Sequence, residues 1–373
     1  MKILYFFQEL PTPMFQWQRI HIFDELSHHG CDISVVNPLE YESPEQANEA
    51  LLHTLTSTKY DLFFTNVCYY KVLFVDTVER IKQLGVPTLC IRCDNLIIPY
   101  VDKVLAPHFD LVWLTSVETK HLYDKWGCRS FFAPYAANPY KFVYQQGTLI
   151  KKTCFIGTPY GSRSIMMNYL ADQMVSVDLF YGKNPALRES ANHTERTCLK
   201  STIIMPNRWE EYYNRLKFKE GRKLLWGAIV NKIKRQESIK SSPYLTQHPS
   251  VSFEAMSRWY ADYVLALSST STNHTDALKH PLPVINLRNF EIPMSGGIEI
   301  CKYNEELAGY FEADKEIVFY HTNDELVEKA KFYTQRASDS LILKMKQAAR
   351  KRAELDHTWW NRFSYAFQLL GII

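Results

Sequence analysis

An arginine, a glutamate and two glycines fall close together at Arg288, Glu291, Gly296 and Gly297, a grouping able to hold a phosphate and a pair of hydroxyls at one short helix. The apolar run Leu282 to Leu287 precedes them, so the segment reads as strand, turn, helix and glycine stop. Arg288 stands at the expected helix entrance, where free N–H groups and the positive end of the dipole favour an anion. Glu291, one turn on, is placed to accept hydrogen bonds from vicinal hydroxyls such as those of a ribose. Gly296 and Gly297 end the helix and permit close backbone approach. A sugar nucleotide carries both groups, phosphate and diol.

The same logic recurs upstream. Thr153 to Ile156 reads as a strand, Gly157-Thr158-Pro159-Tyr160-Gly161 as a turn, and Ser162 to Gln173 as a helix with Arg163 in its first turn. Two cationic helix entrances could grip the two phosphates of a diphosphate. The sequence has no Asp-x-Asp triplet of the kind that holds manganese, so arginines and helix N-termini are expected to neutralise the diphosphate, with no metal and no cofactor required. Asp94, in Arg92-Cys93-Asp94-Asn95, falls just past the strand Thr88 to Arg92. It is the candidate base for deprotonating an acceptor hydroxyl, with an ordinary turn residue as the alternative. Gln16 and Arg19, in the stretch Glu9 to Arg19, are candidate acceptor contacts by position.

These residues need two frames to hold them. Up to about residue 145, strand-like and helix-like segments alternate: Lys2 to Phe7, a helix Gln18 to His29 stopped by Gly30, Asp32 to Val36, Leu62 to Thr65, a helix Asp76 to Leu84, Thr88 to Arg92, and Leu111 to Leu114. Thr115 or Ser116 is expected to cap a helix running to Lys125. Such alternation predicts a parallel sheet with helices on both faces. Alternation restarts at Lys152 with Val177 to Tyr181 as its next strand, after a linker at 136 to 151. The expected division is 1–145, 146–355 and a tail 356–373. No Gly-x-Gly-x-x-Gly follows the first strand, which argues against a dinucleotide oxidoreductase.

The chain has 373 residues and a formal net charge of +3, and the charge is uneven. Between Arg215 and Lys240 stand nine Lys/Arg and two Asp/Glu. Within that segment Leu224, Leu225, Ala228, Ile229 and Ile233 recur at helical spacing beside Trp226, flanked by Arg222, Lys223, Lys232, Lys234 and Arg235. Three readings stay open: a solvated helix over its own core, contact with an anionic membrane surface or a lipid-diphosphate acceptor, and nucleic acid, for which no recognisable module accompanies the charge. Eight cysteines scatter among apolar neighbours, as buried thiols do in a reducing compartment. Cys90-Ile91-Arg92-Cys93 has metal or redox spacing but lies in a strand without a second pair. Asn192-His193-Thr194 and Asn273-His274-Thr275 match glycosylation sequons and read as ordinary loop residues. The start of the chain runs directly into a strand and no apolar run reaches spanning length, so the expected location is cytoplasmic, with peripheral attachment to the inner face of the membrane as the variant.

The stretch Leu287-Arg288-Asn289-Phe290-Glu291-Ile292-Pro293-Met294-Ser295-Gly296-Gly297 resembles the donor-site signature of CgeB-like (spore-maturation-type) glycosyltransferases, in which an arginine precedes Phe-Glu-x-Pro-x-x-Gly-Gly. Ser252-Phe253-Glu254-Ala255-Met256 with Tyr260-Ala261-Asp262-Tyr263, Tyr303 to Leu307, Lys315 to Tyr320, Asp324-Glu325-Leu326 and His357-Thr358-Trp359-Trp360-Asn361-Arg362-Phe363 resemble the flanking elements of that family in order. The resemblance implies the GT-B architecture: α/β, two Rossmann-like domains facing across a cleft, an acceptor-side N-terminal domain, a nucleotide-sugar C-terminal domain, and a tail crossing back to the former. It implies donor contacts at Gly157, Arg163, Arg288, Glu291, Ser295 and Gly296, and an acidic residue near Asp94. The implied activity is transfer of a hexose from a nucleotide-diphosphate sugar, UDP-linked by preference, to a saccharide or lipid-linked acceptor in bacterial surface polysaccharide biosynthesis. The alternatives are a GT-B-fold sugar-nucleotide epimerase and a non-catalytic sugar-binding coat protein. Glu291 and Glu299 stand eight apart, but Glu291 would be the second glutamate of a retaining Glu-x7-Glu motif and Pro283 occupies the first place, so stereochemistry stays open.

Overall fold

The computed structural model describes residues 1–10, 13–145, 147–182, 199–234, 238–272 and 274–372. Arg235, Cys198, Asn273 and the sequon at 192–194 lie outside them. The described chain forms two compact units. One contains 1–134, 199–222 and 359–372, the other 135–182 and 223–358.

The first unit holds a six-stranded, all-parallel sheet: β1 (Lys2–Phe6), β2 (Asp32–Val36), β3 (Leu62–Thr65), β4 (Thr88–Arg92), β5 (Leu111–Leu114) and β6 (Ser130–Phe132). Their order is β2-β1-β3-β4-β5-β6. β1, β3 and β5 are apolar almost throughout because both faces are covered by helices. The chain end packs here as the helix Trp359–Leu370. Its Trp359 and Phe363 meet Trp113 of β5 at ring-centroid distances of 5.8 and 5.2 Å. Glu25, fully buried, accepts hydrogen bonds from the Trp359 and Trp360 backbone N–H groups.

The second unit repeats the plan with β7 (Ile150–Ile156), β8 (Val177–Phe180), β9 (Leu245–His248), β10 (Tyr263–Leu267), β11 (Glu299–Lys302) and β12 (Ile317–Tyr320). The order β12-β11-β10-β7-β8-β9, again parallel, reverses between β7 and β10. Open α/β sheets bind ligands outside the carboxyl ends of the strands at such a reversal. Phe155, Val264, Leu265, Leu267 and Ile300 form the centre of its core.

Three expectations fail locally. The helix before Lys125 begins at Lys120, and neither Thr115 nor Ser116 caps it. Those two backbone N–H groups are instead held by the buried Asn95 side chain at 3.1 and 3.0 Å. Leu282 to Leu287 is not a strand: Pro281 and Pro283 interrupt any ladder, and one isolated bridge, Ser271 to Pro283, remains. The first helical stretch starts earlier than Gln18, at Pro13, and passes through a π-turn at Arg19–Phe23 before Gly30 stops it at φ +76°. The helix Pro44–Ser57, capped by Ser43, and the strand β6 have no counterpart among the elements expected.

Candidate active site

Gly157 follows β7 directly and takes φ +138°, a conformation L side chains rarely adopt. A Cβ there would stand 2.7 Å from Arg288 Nη2. The glycine is therefore what lets the Arg288 guanidinium lie against the turn. Arg288 opens the helix Arg288–Met294, and its N–H donates to the Asn286 side chain at 3.1 Å. Its guanidinium lies over the ring of Phe155, 5.4 Å from the centroid. Arg163, near the start of the helix Ser162–Asp172, lies over the same ring at 5.7 Å and over Tyr160 at 4.3 Å. Two cations thus share one aromatic side chain at the carboxyl end of β7.

That closeness has an electrostatic cost. Burial, and then the charge of Arg288, lower the Arg163 guanidinium to about 10. Burial also opposes the charge of Arg288, but Tyr260 and Glu291 outweigh it and hold the group above its ordinary value. Arg288 Nε has no hydrogen-bond partner among the described residues. A pair of crowded guanidinium groups with unspent donors suits a dianion.

Gly157, Arg163, Arg288 and Glu291, named separately in sequence, lie together at the carboxyl end of β7. Glu291 is buried and interacts with Arg288. The Ser295 hydroxyl is fully buried and donates to the Glu291 carbonyl at 2.7 Å, so it finishes the helix. Gly296, at φ +72°, makes its close approach to protein: a Cβ would fall 2.2 Å from the Tyr144 ring. Arg350 donates to the carbonyls of Met294, Phe142 and Pro139 and so closes the carboxyl end of the same helix. His357, buried, packs against Phe290 and Phe311 at 5.4 and 4.9 Å, which gives the His-Thr-Trp element a packing role.

Sequence reasoning missed Phe155, Tyr260, Arg350 and Asp276. Asp276 matters because its carboxylate accepts from the Ser162 N–H and already fills the anion position at that helix entrance. Its other oxygen is buried without a hydrogen-bond partner among the described residues. Beside it lies a cavity of about 210 Å³ that includes Ser162, Ser268, Thr270, Lys302 and His321. It opens past the carboxyl ends of β10, β11 and β12.

The remaining candidates belong to the first unit. Asp94 is exposed in the turn after β4, with φ +57°. Its neighbour Asn95 fixes that turn: Nδ2 donates to the Ser116 carbonyl at 2.8 Å and to Thr119 Oγ1 at 2.7 Å. Gln16 is half-buried on the first helix. Arg19 is paired with Glu9 through Nε and Nη2. Neither borders a cavity of about 760 Å³ in this unit, which lies among the loops after β1, β2 and β3 with Gln8, Leu39, Val72, Lys200 and Ile203 in its wall. β1 and β3 flank the strand-order reversal of the first sheet.

Residues 208–368 match the family model described as glycosyl transferase-like. No curated protein matches. Solved structures share the fold over the full length: HepE from Anabaena in complex with UDP (12% identity, 100% of each chain, TM-score 0.56), sucrose-phosphate synthase from Thermosynechococcus elongatus (12%, 99% of each chain, 0.55), and an alpha-glucosyltransferase in complex with UDP and a 13-mer DNA (13%, 100% of this chain and 99% of that one, 0.57).

Proposed function

We propose that this chain is a GT-B glycosyltransferase, a reading supported by its matched region and its two parallel sheets, and that it moves a hexose from UDP to a saccharide or lipid-linked acceptor of a bacterial surface glycan. The observation that carries the donor assignment is the pair Arg163 and Arg288 on Phe155, beside the glycine turn that ends β7. Glycosyl transfer leaves a nucleoside diphosphate, and preorganised cations at the departing phosphates stabilise the charge that develops there. Arg288 and Arg163 hold the diphosphate, Glu291 the ribose, and the reaction proceeds without a metal. UDP is preferred because HepE and the alpha-glucosyltransferase are described with it.

On the acceptor side, Asp94 is the base, and the apolar cavity among the loops of β1 to β3 takes the part of the acceptor remote from the reacting hydroxyl. The cationic segment beginning at Arg215 keeps the enzyme near anionic lipid, where lipid-linked acceptors reside.

Calorimetry with UDP, GDP and dTDP tests this reading. UDP should bind best, and Arg288→Ala should lose roughly 2 to 4 kcal/mol of transition-state binding, about thirty- to a thousandfold in kcat/KM, with little change in thermal midpoint. A chain that binds none of the three nucleotides ends the donor assignment, as does an Arg288→Ala protein of unchanged activity. Conversion of a sugar nucleotide without any acceptor points to epimerisation instead.

A further inference from the structure

The helix Arg208–Leu216 is capped by Asn207, whose side chain accepts from the Trp209 N–H at 2.9 Å. Its sequence has an apolar stripe at 209, 212, 213 and 216, the i, i+3, i+4, i+7 spacing that normally faces a core. Here the orientation is reversed. Glu211, Asn214 and Arg215 turn toward Ile97 to Val101 of the first unit, and Arg215 Nε donates to the Ile97 carbonyl at 3.3 Å. Trp209, Tyr212, Tyr213 and Leu216 face solvent at 81, 47, 63 and 55% exposure, and no residue of the helix is buried. A helix placed with its polar face inward leaves its apolar face for something outside the unit.

The surrounding charge indicates the occupant. Arg208, Lys217 and Lys219 are exposed at the ends of the stripe, and Lys217 Nζ lies 4.3 Å from the Tyr213 ring centroid. Beside the helix, Tyr70, Lys103 and Val104 line a depression together with its Glu210, Glu211, Asn214 and Lys217, away from the apolar stripe. Of the carboxylates on the helix, Glu210 is exposed and Glu211 is turned inward. Aromatic side chains ringed by cations match the headgroup region of a bilayer, where Trp and Tyr partition and anionic lipid attracts Lys and Arg. A second copy applied through the same face would set these cations against their own kind. Among the described residues no helix is long and apolar enough to cross a membrane, so the contact is interfacial.

We propose that Arg208–Leu216 is a membrane-contact helix whose Trp209, Tyr212, Tyr213 and Leu216 enter the headgroup region of an anionic lipid surface. This deepens the membrane-proximal part of the reading above and is independent of the donor chemistry. The test is sedimentation of the full chain with phosphatidylcholine vesicles with and without phosphatidylglycerol, comparing wild type, a Trp209→Ser/Tyr213→Ser protein, and a protein with Arg222, Lys223, Lys232 and Lys234 changed to Gln. Both substituted side chains are exposed, so the fold and UDP affinity should be unchanged, while binding to anionic vesicles falls by about tenfold or more. Wild-type protein that never pellets with anionic vesicles overturns the proposal, leaving the donor assignment to calorimetry. Vesicle binding that survives the aromatic substitutions but is lost in the Gln protein also overturns it, while the cationic segment keeps its role. A concentration-dependent dimer in ultracentrifugation that the aromatic substitutions abolish, without lipid binding, assigns the stripe to a second copy.

Discussion

Glu299 sits 1% exposed at the start of β11, and burial raises its carboxyl to about 7 against hydrogen bonds from Asn289 and Ser268 that favour the charge. The folded chain therefore keeps a proton that the unfolded chain releases near its ordinary carboxyl range. The resulting stabilisation is complete below the unfolded value and disappears as pH rises through about 7, for a total on the order of 3 kcal/mol. Glu299→Gln should remove this dependence. Thermal melts of both proteins from pH 4.5 to 8 should show a midpoint difference that grows in favour of the variant as pH rises; a constant difference would mean the buried carboxyl does not titrate in that window. The candidate donor residues Arg163 and Arg288 were legible as residue types at helix entrances. Their electrostatic setting was not, because Phe155 and Tyr260 lie far from Arg288 in sequence and carry no charge to attract notice. Asp276 shows the converse: a helix entrance with an arginine in its first turn looks open to phosphate in sequence, yet a carboxylate from over a hundred residues away already accepts its first N–H.

At the level of elements, strands buried on both faces announced themselves as apolar runs, and Gly30 and Gly296 marked helix ends by needing positive φ. The run Leu282 to Leu287 misled because apolar content does not distinguish a strand from a buried loop when prolines interrupt it. Gly296 was legible as a stop, but not the neighbour that makes it indispensable. Gly296→Ala should cost about 1 to 3 kcal/mol from positive φ and collision with the Tyr144 ring. In a Tyr144→Ala background only the backbone part should remain, roughly 1 kcal/mol. Denaturant titration of the four proteins in this cycle measures both parts, and equal costs in the two backgrounds would exclude the ring contact.

Over the whole molecule, alternation predicted two parallel α/β halves, and each has six strands among the described residues. The resemblance, not periodicity, implied a tail crossing back to the N-terminal domain, and 359–372 is grouped with the first unit; that 199–222 joins it as a third stretch had no counterpart in the sequence reading. Phe218, in the middle stretch, packs on Tyr100, and Trp359 in the last packs on Trp113. Periodicity is local, and such long-range assignments have no period. Loss of Trp359, Phe363 and Phe367, each fully buried, forfeits roughly 1.5 to 3 kcal/mol per side chain. A chain stopped after Thr358 should therefore lose the calorimetric transition of the first unit while the second still melts cooperatively. Retention of both transitions would show that the terminal helix is dispensable.

The same arrangement bears on how the protein is made. Residues 1–134 leave the ribosome well before the helix that covers Trp113 and satisfies Glu25 has been synthesised. Domains ordinarily fold in the order in which they emerge, but here the half translated first is completed last, after the other half is already available to fold. An apolar sheet face must therefore persist uncovered through most of translation. Chains stalled before Trp359 should accordingly be cut by protease within 1–134 more readily than chains that include the terminal helix, and equal sensitivity would show that the helix is not needed to finish that half.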